Sequence, residues 1–338
     1  MSVIEDDALS IIRELERSFQ KLKKGTILIT GATGHLGQYF LKLFLMANKL
    51  LGLDLNLFST STSVLDKSFL KYRMDFTNLQ GNLTDLNFIA GFPNFDYIFH
   101  LAGDAQPSKF INNASSTILI NTLVVDNLLN KLNQNGNFLF ISSSEVYNLD
   151  QLISEEKTEN MISVNHPRAG YIFSKIFGEI ICLSSKKNTK VIRLSMTYGP
   201  GIKKNDSRAF SSFLREGMTD QIIILKDDGK AIREYLYVAD GVRAILWAFL
   251  EGKGNFYNVG SGIRGRITIK EVAEIISKLL SVDLQTSKSE VPFLSAFQSV
   301  SLDVTQYESE FGEILRVPIK EGIERTIKWA EQEHIFGD

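Results

Sequence analysis

The sequence predicts an α/β chain: a doubly wound parallel sheet followed by a smaller C-terminal α/β cap. Two observations carry that class. Short, nearly continuous apolar runs alternate with segments of helical periodicity through the first 195 residues, the pattern of parallel strands covered by helices on both faces. The first of these runs, residues 26–30, passes into Gly31-Ala-Thr-Gly-His-Leu-Gly37 and then at once into a helical pattern. With 338 residues, 44% hydrophobic and 22% charged, the chain has the balance of a globular protein and length for one large or two modest domains.

Taken in order, Ile4, Leu9, Ile12, Leu15, Phe19 and Leu22 recur at helical spacing. Residues 4–22 are therefore expected to form an amphipathic helix ahead of the first strand, packed on the domain or on a partner subunit. Strands are expected at 26–30, 54–59, 75–80, 96–102, 137–142 and 190–195, with helices at 36–49, 84–90, 115–133 and 168–186 between them. After residue 196 the rhythm changes. Gly199-Pro-Gly201 breaks the chain and Lys203 to Arg208 is polar. A helix at 208–216, a strand pair within 222–238, a helix at 239–250, a strand at 255–259 and helices at 268–280 and 319–331 follow. The expected division is a helical extension over 1–23, a first domain over 24–195 onto which 235–259 packs back, and a second over 196–338.

Glycine at 31, 34 and 37 permits a tight turn and close backbone approach to a pyrophosphate at a helix N-terminus, the mark of a Rossmann dinucleotide site. Downstream, Tyr171-Ile-Phe-Ser-Lys175 places a phenol and an ammonium one helical turn apart. A lysine there favours the phenolate and lowers the tyrosine pKa. Such a tyrosine can exchange a hydroxyl proton while a hydride moves to nicotinamide. Any amphipathic helix can carry Tyr-x-x-x-Lys. Its weight comes from Ile141-Ser-Ser-Ser-Glu-Val-Tyr147, at the C-terminal end of an expected strand, where open α/β sheets bind ligands.

Composition removes several classes. A net charge of -2 gives no pull toward nucleic acid or an anionic membrane. One cysteine, Cys182, cannot form an internal disulfide and suits a reducing compartment. Four scattered histidines offer no metal-ligand cluster. No apolar run approaches the roughly 20 residues of a membrane span, and Glu5-Asp-Asp7 is unlike a secretory signal. A cytoplasmic protein is expected.

Together these motifs resemble the extended short-chain dehydrogenase/reductases of the nucleotide-sugar epimerase/dehydratase/decarboxylase family, over residues 24–332. Further matches are His100-Leu-Ala-Gly103, Asn121-Thr122, Tyr198-Gly-Pro200, Arg233-Glu-Tyr-Leu-Tyr-Val-Ala-Asp240, Tyr257-Asn-Val-Gly-Ser261 and Thr268-Ile-Lys-Glu-Val. The resemblance implies that Tyr171 is the acid/base at sugar C4 and that Lys175 tunes it and holds the nicotinamide ribose. Ser143 would bond the reacting hydroxyl, and Ser144 and Glu145 would complete the catalytic set. Cofactor contacts would come from Gly31, Thr33, Gly34, His35, Leu36 and Gly37, from Leu101, Ala102 and Gly103, and from Ser195. Asn82-Leu83 stands where the family has an Asp-hydrophobe pair near the adenine. Asn121, Met196, Arg208 and Arg233 would meet a nucleotide-diphosphate sugar. Helices 115–133 and 168–186 would pair two subunits into a homodimer.

The reaction implied depends on the residues after Ser143. Hexose 4-epimerases usually carry uncharged residues there, and nucleotide-diphospho-glucose 4,6-dehydratases carry Asp-Glu. Ser144-Glu145 follows the pattern of UDP-glucuronate decarboxylases and GDP-mannose 4,6-dehydratases, and Pro167-Arg-Ala-Gly-Tyr171 is similar to the decarboxylases' Pro-Arg-Ala-Cys-Tyr. Decarboxylation of a UDP-glucuronate-like substrate is the expectation, with 4,6-dehydration and 4-epimerisation as alternatives. An NADP-dependent reductase and a non-catalytic dinucleotide-binding protein are the rivals from outside. Departures are Met196 in place of the usual Asn, Asn148 in place of Gly, and surroundings of Arg233 closer to the dehydratases. The second strand ends without the acid that binds a ribose 2′-hydroxyl. Ser59 and Thr60 stand there, with Lys67 beyond, and could accept a 2′-phosphate, which makes NADP the alternative. NAD is expected because the resemblance is to internally redox-neutral members of the family, which retain it.

Overall fold

The computed structural model describes residues 2–147, 162–286 and 301–336. Its strands are β1 (Thr26–Thr30), β2 (Asn56–Ser61), β3 (Thr77–Gln80), β4 (Phe95–His100), β5 (Leu132–Ser143), β6 (Asn188–Leu194), β7 (Met196–Tyr198), β8 (Ile222–Leu225), β9 (Ile232–Tyr237), β10 (Phe256–Val259), β11 (Arg266–Thr268) and β12 (Asp283–Thr286). Helices α1 (Val3–Glu14) and α2 (Glu16–Phe19) precede the sheet. Within its first part lie α3 (His35–Leu51), α4 (Leu86–Ala90), α5 (Pro107–Asn112), α6 (Ala114–Asn121), α7 (Leu123–Leu129) and α8 (Ala169–Ser184). The later ones are α9 (Ala209–Thr219), α10 (Val238–Glu251), α11 (Ile269–Leu280), α12 (Thr305–Phe311) and α13 (Ile319–Gln332).

Seven strands form one parallel sheet in the order β10-β6-β5-β4-β1-β2-β3. The chain leaves β1 toward β2 and β3, then returns to place β4 on the other side of β1. That reversal opens a crevice at the carboxyl ends of β1 and β4. Successive strand residues point to opposite faces, so each strand feeds two cores. Ile27, Ile29, Phe99, Leu139 and Ile141 join α1, α3 and α10 on one face. Leu28, Ile98, Phe138 and Phe140 join residues of α4, α7 and α8 on the other.

The N-terminal helical stretch lies within the first of these cores. Ser2 caps α1 in a capping box with Glu5, and Ala8, Ile11, Ile12, Leu15, Phe19 and Leu22 are buried there. Asp7 is also buried and accepts from the hydroxyls of Tyr39 on α3 (2.9 Å) and Tyr237 on β9 (2.8 Å). It pairs with Arg325 on α13 at 2.8 Å.

Sequence expectations differ from the structure at several elements, and the helix expected over 4–22 is interrupted at Leu15 (φ -99, ψ 17) between α1 and α2. The helix expected over 115–133 is broken into α6 and α7 and gives way to β5 at Leu132. Thr122 lies outside helical geometry (φ -122, ψ -82), its hydroxyl taken by the Ile118 carbonyl at 2.7 Å. The strands expected as a pair within 222–238 do not pair with each other. β8 lies parallel to β12, whereas β9 lies between β7 and β11. Apolar alternation identifies a strand but carries no record of its neighbour.

Candidate active site

The crevice is a cleft of about 260 Å³. The glycine turn, the ends of β4 and β5, the first turn of α8, and the β7 and β9 strands converge on it. Gly31 has φ +70, and a Cβ on it would stand 2.7 Å from the Ala102 Cα. At Gly37 a Cβ would stand 2.1 Å from the Gly31 carbonyl oxygen. No bulkier residue fits this turn. Gly34 begins α3 without a side-chain cap, so the helix presents its open N–H groups beside Gly34, His35 and Leu36, which line the cleft.

His100 binds β4 to its surroundings. Its Nε2 lies 3.0 Å from the Ile120 carbonyl and must donate, so Nδ1 accepts from Thr30 at 2.9 Å. The Thr30 oxygen in turn accepts the N–H groups of Leu101 and Ala102, both at 3.1 Å. Burial, with the Lys175 charge adding, holds this histidine down to about 3. His35 donates from Nε2 to the Pro200 carbonyl at 3.0 Å and joins the glycine turn to the Tyr198-Gly-Pro segment. Burial pushes its pKa down to about 4.

The end of β5 is anchored from below. Ser142 donates to Glu179 at 2.5 Å, and Glu179 holds Arg193 through two bonds of 2.9 and 2.6 Å. The Tyr147 hydroxyl donates to Asn258 on β10 at 2.8 Å. Above this anchor, Ser143 accepts the Glu145 N–H at 3.2 Å and hydrogen-bonds the Tyr171 phenol. Tyr171 is 7% exposed and its ring stacks on Phe110 of α5, centroids 4.4 Å apart. Lys175 donates to the Ile141 carbonyl at 2.8 Å, and its Nζ is 5.9 Å from the centre of the Tyr171 ring.

The lowered tyrosine pKa expected from Tyr-x-x-x-Lys is not what this arrangement produces. Burial pushes the Tyr171 phenol well up, Glu145 pushes it further, and the Ser143 hydrogen bond opposes them. The Lys175 ammonium is instead spent on a carbonyl, and burial brings its own pKa down to about 8.

The predicted residues separate into two sets. Gly34, His35, Leu36, Leu101, Ala102, Gly103, Ser143, Ser144, Glu145, Tyr171, Lys175, Ser195, Met196, Arg208 and Arg233 all line the cleft. Arg208 is held by Asp206 at 2.6 Å, and the Arg233 Nη1 donates to the Ile232 carbonyl at 2.7 Å. Gly31, Thr33 and Gly37 shape the turn behind the lining. Asn121 sits behind Gly103, donating to the Thr117 carbonyl and to Ser174, with its buried Oδ1 lacking a partner. Ser59 and Thr60 are buried within β2, which runs on to Ser61, and Ser59 donates to Asn78 at 2.8 Å. Asn82 is exposed and accepts the Thr84 N–H, whereas Leu83 is buried in the second core. Asn148 lies outside the described residues.

Three residues in or beside the cleft are not among the site residues expected from the sequence, although Arg168 and Glu234 lie within its motifs. Arg168 grips Glu145 with Nη1 at 2.7 and 2.8 Å from its two oxygens. Phe110 supports Tyr171 from a helix whose only sequence signal is Pro107 at its first turn. Glu234 lines the cleft and accepts the N–H groups of Gly262 (3.1 Å) and Leu302 (2.7 Å); burial pushes its pKa up to about 7. Among the described residues, no group of three or more His, Cys, Asp or Glu could hold a metal ion.

A crevice at the sheet's reversal point, rimmed by an uncapped helix N-terminus and a glycine turn, defines a dinucleotide-binding α/β protein. The chain belongs to the NAD dependent epimerase/dehydratase family, which it matches over residues 27–260. The family resemblance read from the motifs therefore holds. UDP-glucuronic acid decarboxylase 1 of Danio rerio is 26% identical over 348 residues, covering 95% of this chain and 79% of that protein. A dTDP-glucose 4,6-dehydratase of Streptomyces griseus is 25% identical over 241 residues, covering 69% of this chain and 71% of that protein. The solved structure of MoeE5 in complex with UDP-glucose and NAD shares the fold, with a TM-score of 0.74 at 21% identity over 92% of this chain and 100% of that one. The chain is thus of the nucleotide-sugar epimerase, dehydratase and decarboxylase group. NAD, the cofactor expected from the sequence, is the one in the family's description. Its pyrophosphate fits the crowded glycine turn and open helix terminus, where Gly34 and the uncapped N–H groups of α3 face the cleft beside His35 and Leu36.

Proposed function

We propose that this protein transiently oxidises C4 of a nucleotide-diphosphate sugar and decarboxylates a UDP-glucuronate-like substrate. The observation that carries the reading is the convergence of Ser143, Glu145, Tyr171, Lys175 and Arg233, from three separate elements, on one cleft. Bound NAD would supply a hydride acceptor and donor at C4. The glycine turn would hold its pyrophosphate, and Lys175 its nicotinamide ribose. Ser143 would orient the C4 hydroxyl, and Tyr171 would take its proton as the phenolate, the form that the positive charge of bound NAD together with Lys175 would favour against the raised pKa of the cleft alone. A ketone at C4 makes a C6 carboxylate a β-keto acid, so the C5–C6 bond can break with release of carbon dioxide. The bond's electron pair would stay on C5 as the enolate, C5 would take a proton, and C4 would regain its hydride, with the Tyr171 proton returning to the oxygen. Arg233 meets the anionic substrate, and Glu145 stands at the acid–base position beside C5. The 4,6-dehydratase alternative uses the same Glu145 to take the C5 proton, and the Streptomyces relative supports it.

No helix among the described residues is long and apolar enough to cross a membrane, and a cytoplasmic site of action is the accompanying reading. The protein is also read as a homodimer. Ile111, Ile118, Leu119 and Leu123 of α5 to α7 and Phe177, Ile180 and Leu183 of α8 are exposed, apolar and adjacent, a larger apolar surface than isolated residues make. Light scattering should give twice the chain mass, and Phe177→Asp with Ile180→Asp should return a monomer.

Mass spectrometry of nucleotide sugars incubated with the purified protein tests the reaction. Loss of carbon dioxide from UDP-glucuronate is expected. Loss of water from a neutral hexose would transfer the reading to dehydration, and unchanged mass with altered stereochemistry to epimerisation. Consumption of added NADPH would indicate a reductase, and no conversion at all a binding protein.

A further inference from the structure

We propose that Arg168 is a positioning residue for this reaction, holding Glu145 and Tyr171 in register across the cleft. The inference rests on the acid–base reading of Glu145 given above.

Arg168 stands immediately before α8, one turn ahead of Tyr171. Its backbone N–H donates to His166 Nδ1 at 3.2 Å. Its side chain is 9% exposed and that of Glu145 24%, so the ion pair lies at the cleft wall, half withdrawn from solvent. Both oxygens of Glu145 accept from the same Nη1, which fixes the rotation of the carboxylate as a single contact would not. The guanidinium also lies 5.4 Å from the centre of the Phe110 ring, and Phe110 is the ring on which Tyr171 stacks. One side chain is therefore in contact with Glu145 and with the support of Tyr171.

The location is an unfavourable one for a cation. A helix N-terminus carries partial positive charge and disfavours arginine, and a buried guanidinium needs a paired anion. Helix stability alone does not select this residue here; the Glu145 carboxylate makes the position tenable. Local rules broken in this way mark functional sites more often than scaffolding. Arg168 also acts on another charged group of the cleft: burial pushes the Arg233 pKa down, Arg168 adds to that, and Glu145 opposes it.

A double-mutant cycle of Arg168→Gln and Glu145→Gln, read in two ways, tests this. Urea unfolding of the four proteins requires no substrate and is expected to show the two changes coupled. Additive effects there would overturn the pairing itself, whatever the reaction. Turnover is then measured on whichever nucleotide sugar of the panel is converted. Arg168→Gln is expected to lower kcat on the order of 10²-fold with KM within a few-fold. In the Glu145→Gln background it should add less than about 2-fold, and Arg168→Lys should recover part of the loss. Equal losses in both backgrounds, or reduced stability with kcat intact, would leave Arg168 a structural ion pair and overturn the proposal. Coupled unfolding with no sugar converted would overturn the positioning role together with the functional reading. Conversion with independent effects would overturn the positioning role alone.

Discussion

Tyr171 and Lys175 meet the cleft because they are four residues apart on one helix, a relation any reader of the sequence can see. The electrostatics of the pair are set elsewhere. Phe110 covers the Tyr171 ring, Glu145 stands near its hydroxyl, and the Ile141 carbonyl accepts a hydrogen bond from Lys175. All three come from other elements, so the raised phenol pKa was not legible from the helix. Tyr171→Phe keeps the ring, the stack and the fold and deletes only the oxygen. It should lower turnover by about 10²- to 10⁴-fold while a fluorescence titration finds NAD binding unchanged. Full turnover in that variant would remove Tyr171 from its proposed role. Arg168 makes the complementary point: it lies within the Pro167-Arg-Ala-Gly-Tyr171 motif, but its partner lies 23 residues earlier in the chain.

The glycine turn is legible at the scale of the element, since strand, turn and helix are contiguous and their contacts are local. Gly37→Ala would bring a methyl group to 2.1 Å from the Gly31 carbonyl oxygen, with backbone rather than a flexible side chain in its way. A loss of about 1–3 kcal/mol in urea unfolding and at least about 10-fold weaker NAD binding are expected. Gly91→Ala meets nothing closer than 3.6 Å and should change neither. Helix and strand positions were largely legible for the same reason of locality. The exceptions are instructive: Thr122 keeps apolar periodicity around it while its own backbone leaves helical geometry (φ -122, ψ -82). The end of β2 shows a similar limit. Its run of hydroxyls was visible, but that Ser59 and Ser61 turn to Asn78 of β3 depends on strand pairing.

At the scale of the whole molecule, Asp7 joins parts of the chain more than 300 residues apart. It ties α1 to the helix that follows the glycine turn through Tyr39, to the strand that carries Arg233 through Tyr237, and to α13 through Arg325. Asp7→Ala leaves two phenols and a guanidinium without their common acceptor and should cost about 3–5 kcal/mol, read as a lower urea midpoint with an unchanged slope. A loss below about 1 kcal/mol would show the hub to be dispensable. The amphipathic spacing of residues 4–22 announced a helix with a face to bury, but nothing local said that the face would enter the main core. The sequence by itself determined the α/β class, the glycine turn, the Tyr–Lys helix face and the serine-rich strand end, because each is written in neighbouring residues and short-range geometry. Only the tertiary structure decided the raised pKa of Tyr171, the grip of Arg168 on Glu145, the separate strand partners of β8 and β9 and the role of Asp7, because burial and charge depend on groups that sequence separation hides and folding brings within a few ångströms.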